Sequence, residues 1–285
     1  MKQTRYFIEA ALIHLLFCIF RILPPAASSA LGGWIGRTIG PRLAASRKAA
    51  RHLAASLPHI ADTGAVITGM WDNLGRTMAE YPHLKRLIEN HTEIHGYLPD
   101  GQKQFVFFSG HLANWEMSAT GMAHFFAIAP QLVYRAPNNP YLQDLLDRSR
   151  SLKGEIGTIP KSQRGARDIV RALQKGESLG ILIDQKYNEG IAAEFFGQTA
   201  MTSAAFAQLA QKFDVPLIPV RPERVKGCQF RITVYPPIPT QGRVIEDIVT
   251  DAHRLLEQWI TERPDQWLWL HRRWDSARGA IEDDR

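Results

Sequence analysis

The chain has 285 residues, 45% of them hydrophobic, with a formal net charge of +6 and a pI near 9.4. This length allows one large α/β domain or two small ones, and the absence of a Ser/Gly-rich linker or an internal repeat favours one. The charge suits an anionic partner, which is a membrane, a nucleic acid or an acidic protein. Two cysteines, Cys18 and Cys228, exclude a disulfide framework and favour a reducing compartment. No zinc-binding or phosphate-binding motif is present, so we expect neither a metal nor a cofactor.

The first predicted element is an apolar segment near the N-terminus. Its charge-free part, residues 10–20, is shorter than the roughly 20 residues that span a bilayer comfortably. Glu9 and Arg21 bracket it, and His14 interrupts it. We therefore expect residues 1–25 to form an uncleaved membrane anchor, either as a marginal span or as a helix lying in the interface. A cleaved signal peptide and a buried core helix are the alternatives.

Residues 30–58 are Ala-rich and predict one or two helices. Their basic side chains are Arg37, Arg42, Arg47, Lys48 and Arg51. Behind an apolar anchor, these residues fit contacts to anionic lipid head groups, worth about 1 kcal/mol each near the surface. An ordinary solvated helix face is the alternative.

Residues 62–81 predict another helix. Val66, Met70, Leu74 and Met78 recur there at every fourth position. Such a stripe favours core packing over cofactor binding.

From about Thr92 the pattern becomes α/β. Apolar runs predict strands at residues 104–108, 131–134, 155–159, 179–183 and 217–221, with helices near 114–127, 140–150, 163–175 and 202–213. Residues 228–235 predict a strand antiparallel to the one before, and residues 244–261 a final amphipathic helix. The alternation is typical of parallel crossovers. We therefore predict an α/β fold: a single domain, residues 26–280, has a mixed, mainly parallel central sheet flanked by helices, preceded by the N-terminal membrane-anchor helix.

The chain is organised around residues 104–116, QFVFFSGHLANWE. An apolar strand ends at a turn and delivers His111 to its carboxyl end, where sites form in open α/β sheets. His111 and Glu116 are too far out of phase to meet on one helix, so we expect His111 in the turn and Glu116 in the first helical turn. A carboxylate that touches the imidazole fixes its tautomer, and the pair then acts as a general base on a hydroxyl. The alternative is a histidine that caps a helix beside a surface glutamate.

Polar residues beside the strand ends are candidates for binding substrate. Asn114 is one, and its side chain also suits a helix cap. Arg135 follows a strand and can bind a phosphate or carboxylate in a bidentate way. Asp184 ends another strand, where it can orient a substrate hydroxyl or pair with Arg135 or Lys186.

Basic residues at helix ends add two more substrate-binding candidates. Arg150 ends a predicted helix together with Arg148, and either side chain can reach a substrate there. Arg164 opens the next helix with Lys161 and Arg167. Cations are unfavourable at that end of the helix dipole, which indicates a bound anion.

Near the C-terminus, residues 267–274, WLWLHRRW, are both aromatic and basic. Trp267 and Trp269 are either interface anchors or core aromatics that close the domain. Arg272 and Arg273 can hold lipid phosphates or interior carboxylates.

These motifs resemble a known enzyme family. GHLANWE resembles the H-x4-D/E motif of the glycerolipid acyltransferase superfamily, and its Asn-Trp-Glu form resembles the late acyltransferases of bacterial lipid A biosynthesis, the lauroyl and myristoyl transferases. Further matches follow in the family's order at Tyr134-Arg135 with Asn139-Pro140, at Asp184-Gln185, at Phe195-Phe196-Gly197, at residues 215–220, and at His271-Arg272-Arg273-Trp274. The series covers nearly the whole chain.

The resemblance implies an O-acyltransferase at the cytoplasmic face of a bacterial inner membrane. The implied donor is an acyl-carrier-protein thioester, and the implied acceptor is a hydroxyl on an acyl chain of a lipid A precursor. His111 would take the hydroxyl proton and Glu116 would hold His111, while Asp184 would orient the hydroxyl or the acyl-carrier arm. The basic surface would suit both the acidic carrier protein and the anionic membrane.

Other functions have less support in the sequence. A glycolipid or phospholipid acyltransferase keeps the chemistry and changes the acceptor. A lipid or thioester hydrolase would replace the acceptor alcohol with water, and the G-x-S-x-G elbow of many hydrolases is absent. A non-catalytic membrane-binding module leaves the His111 and Glu116 pair unexplained. Nucleic-acid binding lacks a recognised motif.

Overall fold

The computed structural model describes residues 2–134, 137, 139–151 and 156–274. The helices are α1 (Lys2–Ile22), α2 (Pro25–Ile39), α3 (Ala44–Ser56), α4 (Thr63–Glu80), α5 (Leu84–Asn90), α6 (Glu116–Phe126), α7 (Gln143–Arg150), α8 (Gln163–Gln174), α9 (Ala205–Phe213) and α10 (Ile245–Glu262). The strands are β1 (Thr92–His95), β2 (Val106–Ser109), β3 (Gln131–Tyr134), β4 (Thr158–Pro160), β5 (Leu179–Leu182), β6 (Ile191–Phe195), β7 (Gln198–Thr202), β8 (Leu217–Lys226) and β9 (Gln229–Val234).

A seven-stranded sheet with the order β1-β9-β8-β2-β5-β3-β4 forms the centre of the described chain. Its pairings are parallel except for the antiparallel pair β8–β9. Phe105 and Phe107 pack in one apolar cluster, and Val106 and Phe108 pack in another, so both faces of β2 are covered. A strand covered on both faces has an uninterrupted apolar sequence. The predicted α/β domain with a mixed, mainly parallel sheet is confirmed.

The antiparallel hairpin β6–β7 and the edge strand β1 were not among the predicted strands. The β6 sequence, Ile-Ala-Ala-Glu-Phe, has two consecutive alanines and no regular alternation of apolar and polar residues, so its strand pattern is weak by itself. Tertiary contacts stabilise the hairpin: the ring of Phe195 is fully buried and stacks on that of Trp274, whose Nε1 donates to the carbonyl of Phe195 at 3.2 Å.

Helix α1 packs on the domain with one face and exposes apolar side chains on the other. Ala10 and Phe20 are buried, and the Phe20 carbonyl lies 2.8 Å from Nε2 of His83. The exposed apolar residues are Phe7, Ile8, Leu12, Ile13, Leu15, Leu16, Ile19 and Ile22. Within the described residues, no helix combines the length and the apolar character needed to cross a membrane.

Two helices, α2 and α3, form from residues 30–58 and their neighbours. Helix α2 packs backbone to backbone on α4. Gly36 permits this approach, since a Cβ there would collide with the carbonyl of Trp71. Of the predicted α4 stripe, Met70 is buried as expected, whereas Met78 is 40% exposed. Arg37 pairs with Asp72 at 2.6 Å, so this basic residue already has a protein partner.

The aromatic residues before the C-terminus belong to the core. Trp267 and Trp269 are 2% and 1% exposed, which decides between the two predicted roles. Arg273 is fully buried and donates to the carbonyl of Met201 and the hydroxyl of Thr202, and within the described residues none of its hydrogen bonds goes to a carboxylate. Burial lowers the pKa of Arg273 to about 10.

Candidate active site

A histidine and an aspartate meet where two neighbouring parallel strands end. His111 follows β2 and Asp184 follows β5, and these strands pair directly. His111 Nδ1 lies 2.7 Å from Asp184 Oδ1, and the backbone N–H of His111 donates to Oδ2 of the same carboxylate, also at 2.7 Å. Gly110 permits this approach, because a Cβ there would lie 3.2 Å from Asp184 Oδ2.

The carboxylate of Asp184 is fixed in its ionised form. Burial alone would raise its pKa, but the charge that His111 carries when it is protonated, together with the hydrogen bonds from His111, holds the pKa of Asp184 well below its usual range. Trp267 Nε1 donates a further hydrogen bond to Oδ2 at 2.8 Å. An anionic partner at Nδ1 keeps a proton on that nitrogen, so Nε2 of His111 is left as the basic atom.

The predicted contact between His111 and Glu116 is wrong, because Asp184 occupies the Nδ1 side of the imidazole. Glu116 does begin α6, with His111 in the preceding turn, as expected. Its Oε1 instead accepts from the Tyr81 hydroxyl at 2.7 Å, from Arg150 Nε at 2.8 Å and from Trp115 Nε1 at 3.1 Å. The error arose because spacing along the chain suggests only nearby partners, whereas the actual partner, Asp184, is 73 residues away.

Arg150 bonds Glu116 and packs against two tyrosine rings. Its guanidinium lies over the rings of Tyr81 and Tyr134, at 5.9 and 5.6 Å from their centroids. Burial would lower its pKa, but the Glu116 carboxylate raises the pKa of Arg150 above its ordinary value. Arg150 therefore stays cationic beside the site.

Side chains of α4 fix the turn between His111 and α6. Ala113 has a left-handed φ of 47°, which costs a non-glycine residue of order 1 kcal/mol. Its carbonyl accepts from Asn73 Nδ2 and Thr77 Oγ1, which secures this conformation. Asn114 is not the helix cap that we expected: Trp115 precedes α6 without a side-chain cap, and Asn114 Nδ2 donates to Glu80 at 2.9 Å.

Three residues that were not among our site candidates complete the centre. Trp267 bonds Asp184, and the ring of His271 lies 4.7 Å from that of His111, centroid to centroid. Gln185 Nε2 lies 3.3 Å from His111 Nε2 and 3.2 Å from His271 Nε2. The segment of His271 reaches the site because Leu268 N donates to the carbonyl of His111. The sequence signal for Gln185 and His271 was their place in the family motifs, and that for Trp267 was the aromatic run before the C-terminus.

A cavity of about 550 Å³ opens in front of His111. Its apolar wall includes Phe107, Phe108, Ala119, Met122, Leu132, Val133, Ile181, Leu182 and Val220. Its polar and charged lining includes Glu116, Arg150, Lys161, Gln185, Lys186, His271 and Arg272. Within the described residues, no group of three or more His, Cys, Asp or Glu side chains is arranged to hold a metal ion.

The structure brings only some of the predicted substrate-binding residues to this cavity. Arg150 lines it, whereas Asn114 and Asp184 are buried behind it. Arg164 has a largely exposed side chain that lies 4.0 Å from Asp168 and is not part of the lining. Arg135 lies outside the described residues.

We predict that Arg150→Lys fails to preserve activity and resembles Arg150→Ala. A lysine cannot supply the planar fork that bonds Glu116 and Tyr81 while stacking on two rings. The matched control is Arg148→Lys on the same helix, since Arg148 is exposed and should tolerate the change. Steady-state kinetics of the variants test this, and full activity of Arg150→Lys would contradict it.

Comparison with known proteins gives the family of the chain. The family model described as bacterial lipid A biosynthesis acyltransferase matches residues 1–276. The lipid A biosynthesis lauroyltransferase of Escherichia coli (strain K12) is 27% identical over 156 residues, which are 52% of this chain and 49% of that protein. The chain thus spans about half the length of the curated relative it matches. With the match over nearly its whole length, and with the histidine of the H-x4-E motif at the mouth of a largely apolar cavity, the chain belongs to the bacterial lipid A biosynthesis acyltransferases.

Proposed function

We propose that this protein transfers an acyl chain from an acyl-carrier-protein thioester to a hydroxyl of a lipid A precursor, as a secondary acylation. Family membership supports the reaction class. The observation that carries the proposal is the bonding of His111 Nδ1 to a buried carboxylate, with the ring facing a largely apolar cavity. A base beside an apolar cavity suits an alcohol acceptor and a long-chain thioester.

In this mechanism His111 Nε2 takes the proton of the acceptor hydroxyl. The oxygen attacks the thioester carbonyl, the new C–O bond forms and the C–S bond breaks. The leaving thiolate then takes the proton from His111, so the histidine returns to its starting state. Asp184 stabilises the imidazolium that forms in between, and such general-base action contributes about 10²–10⁴-fold.

The cavity lining offers suitable groups for both substrates. The apolar wall suits the acyl chain. Arg150, Lys161, Lys186 and Arg272 give the lining a cationic side that suits phosphate groups of either substrate. Backbone N–H groups at the N-terminus of α6 are our candidates for stabilising the tetrahedral oxyanion. We retain Glu116 as a residue of the site that acts through Arg150.

Lipid analysis by mass spectrometry tests the acceptor. Cells without this protein should lose one secondary acyl chain from lipid A, and the purified protein should form the ester from acyl carrier protein thioester and precursor. Acylation of a different glycolipid or phospholipid would change the acceptor and leave the chemistry intact. Release of free fatty acid in place of ester would identify a hydrolase and contradict the proposal.

We further propose that α1 lies in the interface of the bacterial inner membrane, at its cytoplasmic face, and that residues 1–25 act as the anchor. Three further exposed apolar residues, Trp34, Ile39 and Leu43, follow in the next segment of the chain. Arg42, Arg47 and Arg51 are exposed nearby in sequence and suit anionic head groups. Apolar insertion combined with electrostatic attraction is what stable peripheral binding requires.

We predict that Leu12→Glu and Leu15→Glu each weaken binding to anionic vesicles about tenfold or more. Withdrawing one leucine from an apolar phase costs about 1.5–3 kcal/mol, and both side chains are more than half exposed in the protein. Val244→Glu, an exposed apolar residue outside α1, is the matched control. Vesicle co-sedimentation measures the effect, and unchanged binding of both variants would refute the anchor.

A further inference from the structure

Gln185 lies between the two histidine rings of the site. It follows Asp184 directly, at the end of β5, and is half-buried. Its Nε2 is 3.3 Å from Nε2 of His111 and 3.2 Å from Nε2 of His271, and the two rings are 4.7 Å apart. One side-chain amide therefore contacts the basic atom of His111 and the corresponding atom of a second histidine.

The chemistry of these contacts restricts the state of both rings. A carboxamide nitrogen has two N–H donors and no acceptor, so it can satisfy two ring nitrogens only if both lack a proton. For His111 this agrees with the opposite side of the ring, where Nδ1 bonds the Asp184 carboxylate. With the amide nitrogen directed at both rings, the two contacts favour the form of His111 whose Nε2 lone pair points toward the amide.

We propose that Gln185, anchored on His271, is a positioning residue that keeps Nε2 of His111 unprotonated and aimed at the place where the acceptor hydroxyl binds. The hydroxyl displaces the amide N–H from His111, since both donate to the same lone pair. The amide keeps its bond to His271 and so stays beside the reacting atoms. The catalytic role of Gln185 rests on the proposed acyl transfer. The unprotonated Nε2 that we expect in the substrate-free protein does not depend on that reaction.

Replacing the amide with a carboxylate reverses the preference of the two Nε2 atoms for the unprotonated state. A carboxylate is only an acceptor, so Gln185→Glu should favour a proton on Nε2 of both rings. An opposite charge at this distance raises the pKa of a histidine by about one unit or more. Among the described residues, the other ionisable groups that face His111, directly or across the cavity, are Asp184, His271, Glu116, Tyr134, Arg150, Lys161, Lys186 and Arg272. None of them is changed by the substitution.

Nuclear magnetic resonance of the ¹⁵N-labelled imidazoles tests the inference on the full chain without substrate. His111→Asn and His271→Asn assign two of the ten histidines. In the wild-type protein, His111 should show a protonated Nδ1 and an unprotonated, hydrogen-bonded Nε2. Gln185→Glu should move the titration of His111 and of His271 upward by about one pH unit or more. Gln208→Glu, an exposed glutamine on α9, is the matched control and should move neither.

Either of two results, one in the wild-type protein and one in Gln185→Glu, would overturn the proposal. One is a wild-type spectrum in which Nε2 of His111 carries the proton, and the other is an unchanged His111 titration in Gln185→Glu. Gln185→Met, which keeps the volume and removes the donors, serves if the glutamate variant does not fold. In that variant the ¹⁵N shift of Nε2 should move toward that of a histidine without a donor partner, and an unchanged shift would overturn the proposal as well.

An activity measurement separates this inference from the proposed function. With acyl carrier protein thioester and precursor, Gln185→Glu should shift the acid limb of the pH profile of kcat/KM upward in pH. The shift should equal that of the His111 titration. Gln185→Met should lower kcat about tenfold with little change in KM. If the wild-type protein transfers no acyl chain, the proposed function fails, and the imidazole spectra still decide the role of Gln185.

Discussion

His111→Ala and Asp184→Asn are each expected to lower acyl-transfer turnover about 10²–10⁴-fold. Without the imidazole, the base that accepts the hydroxyl proton in this mechanism is lost. With asparagine at 184, the ring loses the anionic partner that fixes its tautomer and stabilises the imidazolium. Because the two residues act as a unit, the double variant should be little worse than either single variant. Initial rates at saturating substrate measure these effects.

The control for these variants is His124→Ala, a histidine exposed on α6 that should keep wild-type turnover. Circular dichroism shows whether each variant is folded. Losses that add in the double variant would mean that His111 and Asp184 act separately. Near wild-type turnover of His111→Ala would remove the general base from the mechanism. Glu116→Ala should also lower turnover. The size of its loss should match that of Arg150→Ala, since Glu116 bonds Arg150, and not that of Asp184→Asn.

Arg224→Met is expected to lower the free energy of unfolding by about 3–5 kcal/mol, because it leaves a buried charge without its partner. Glu80 is fully buried at the end of α4, and Arg224 Nη2 donates to its Oε2 at 2.9 Å. Ser29 and Asn114 also donate to the Glu80 carboxylate. This cluster joins α2, α4 and β8 to the turn that carries His111, so its loss should disturb the site as well.

Urea unfolding followed by far-ultraviolet circular dichroism measures that loss. Arg254→Met is the control, since Arg254 is exposed on α10 and its pair with Asp251 should contribute less than about 1 kcal/mol. Replacing both members of the buried pair, as Glu80→Met with Arg224→Met, should cost less than the sum of the single changes. A loss in Arg224→Met no larger than in the control would mean that water compensates the Glu80 charge.

Sequence periodicity predicted most of the sheet because local patterns encode burial. The uninterrupted apolar run of β2 predicted a strand, which the structure covers on both faces, and the alternation of runs with helical stretches predicted parallel crossovers. The hairpin β6–β7 was missed because its residues are stabilised by Phe195 and Trp274, which are far apart in the chain. No local pattern reports such a contact.

The sequence by itself determined the fold class, the family and the position of His111 at a strand end. Only the tertiary structure decided which carboxylate serves His111. The strand order places β5 beside β2, so Asp184, 73 residues away, reaches the imidazole, while Glu116 turns to Tyr81 and Arg150. Strand order depends on the packing of the whole domain, whereas the spacing of two residues on one segment fixes only their local geometry. A pattern of neighbouring residues can therefore place a base, and the assembled sheet selects its partner.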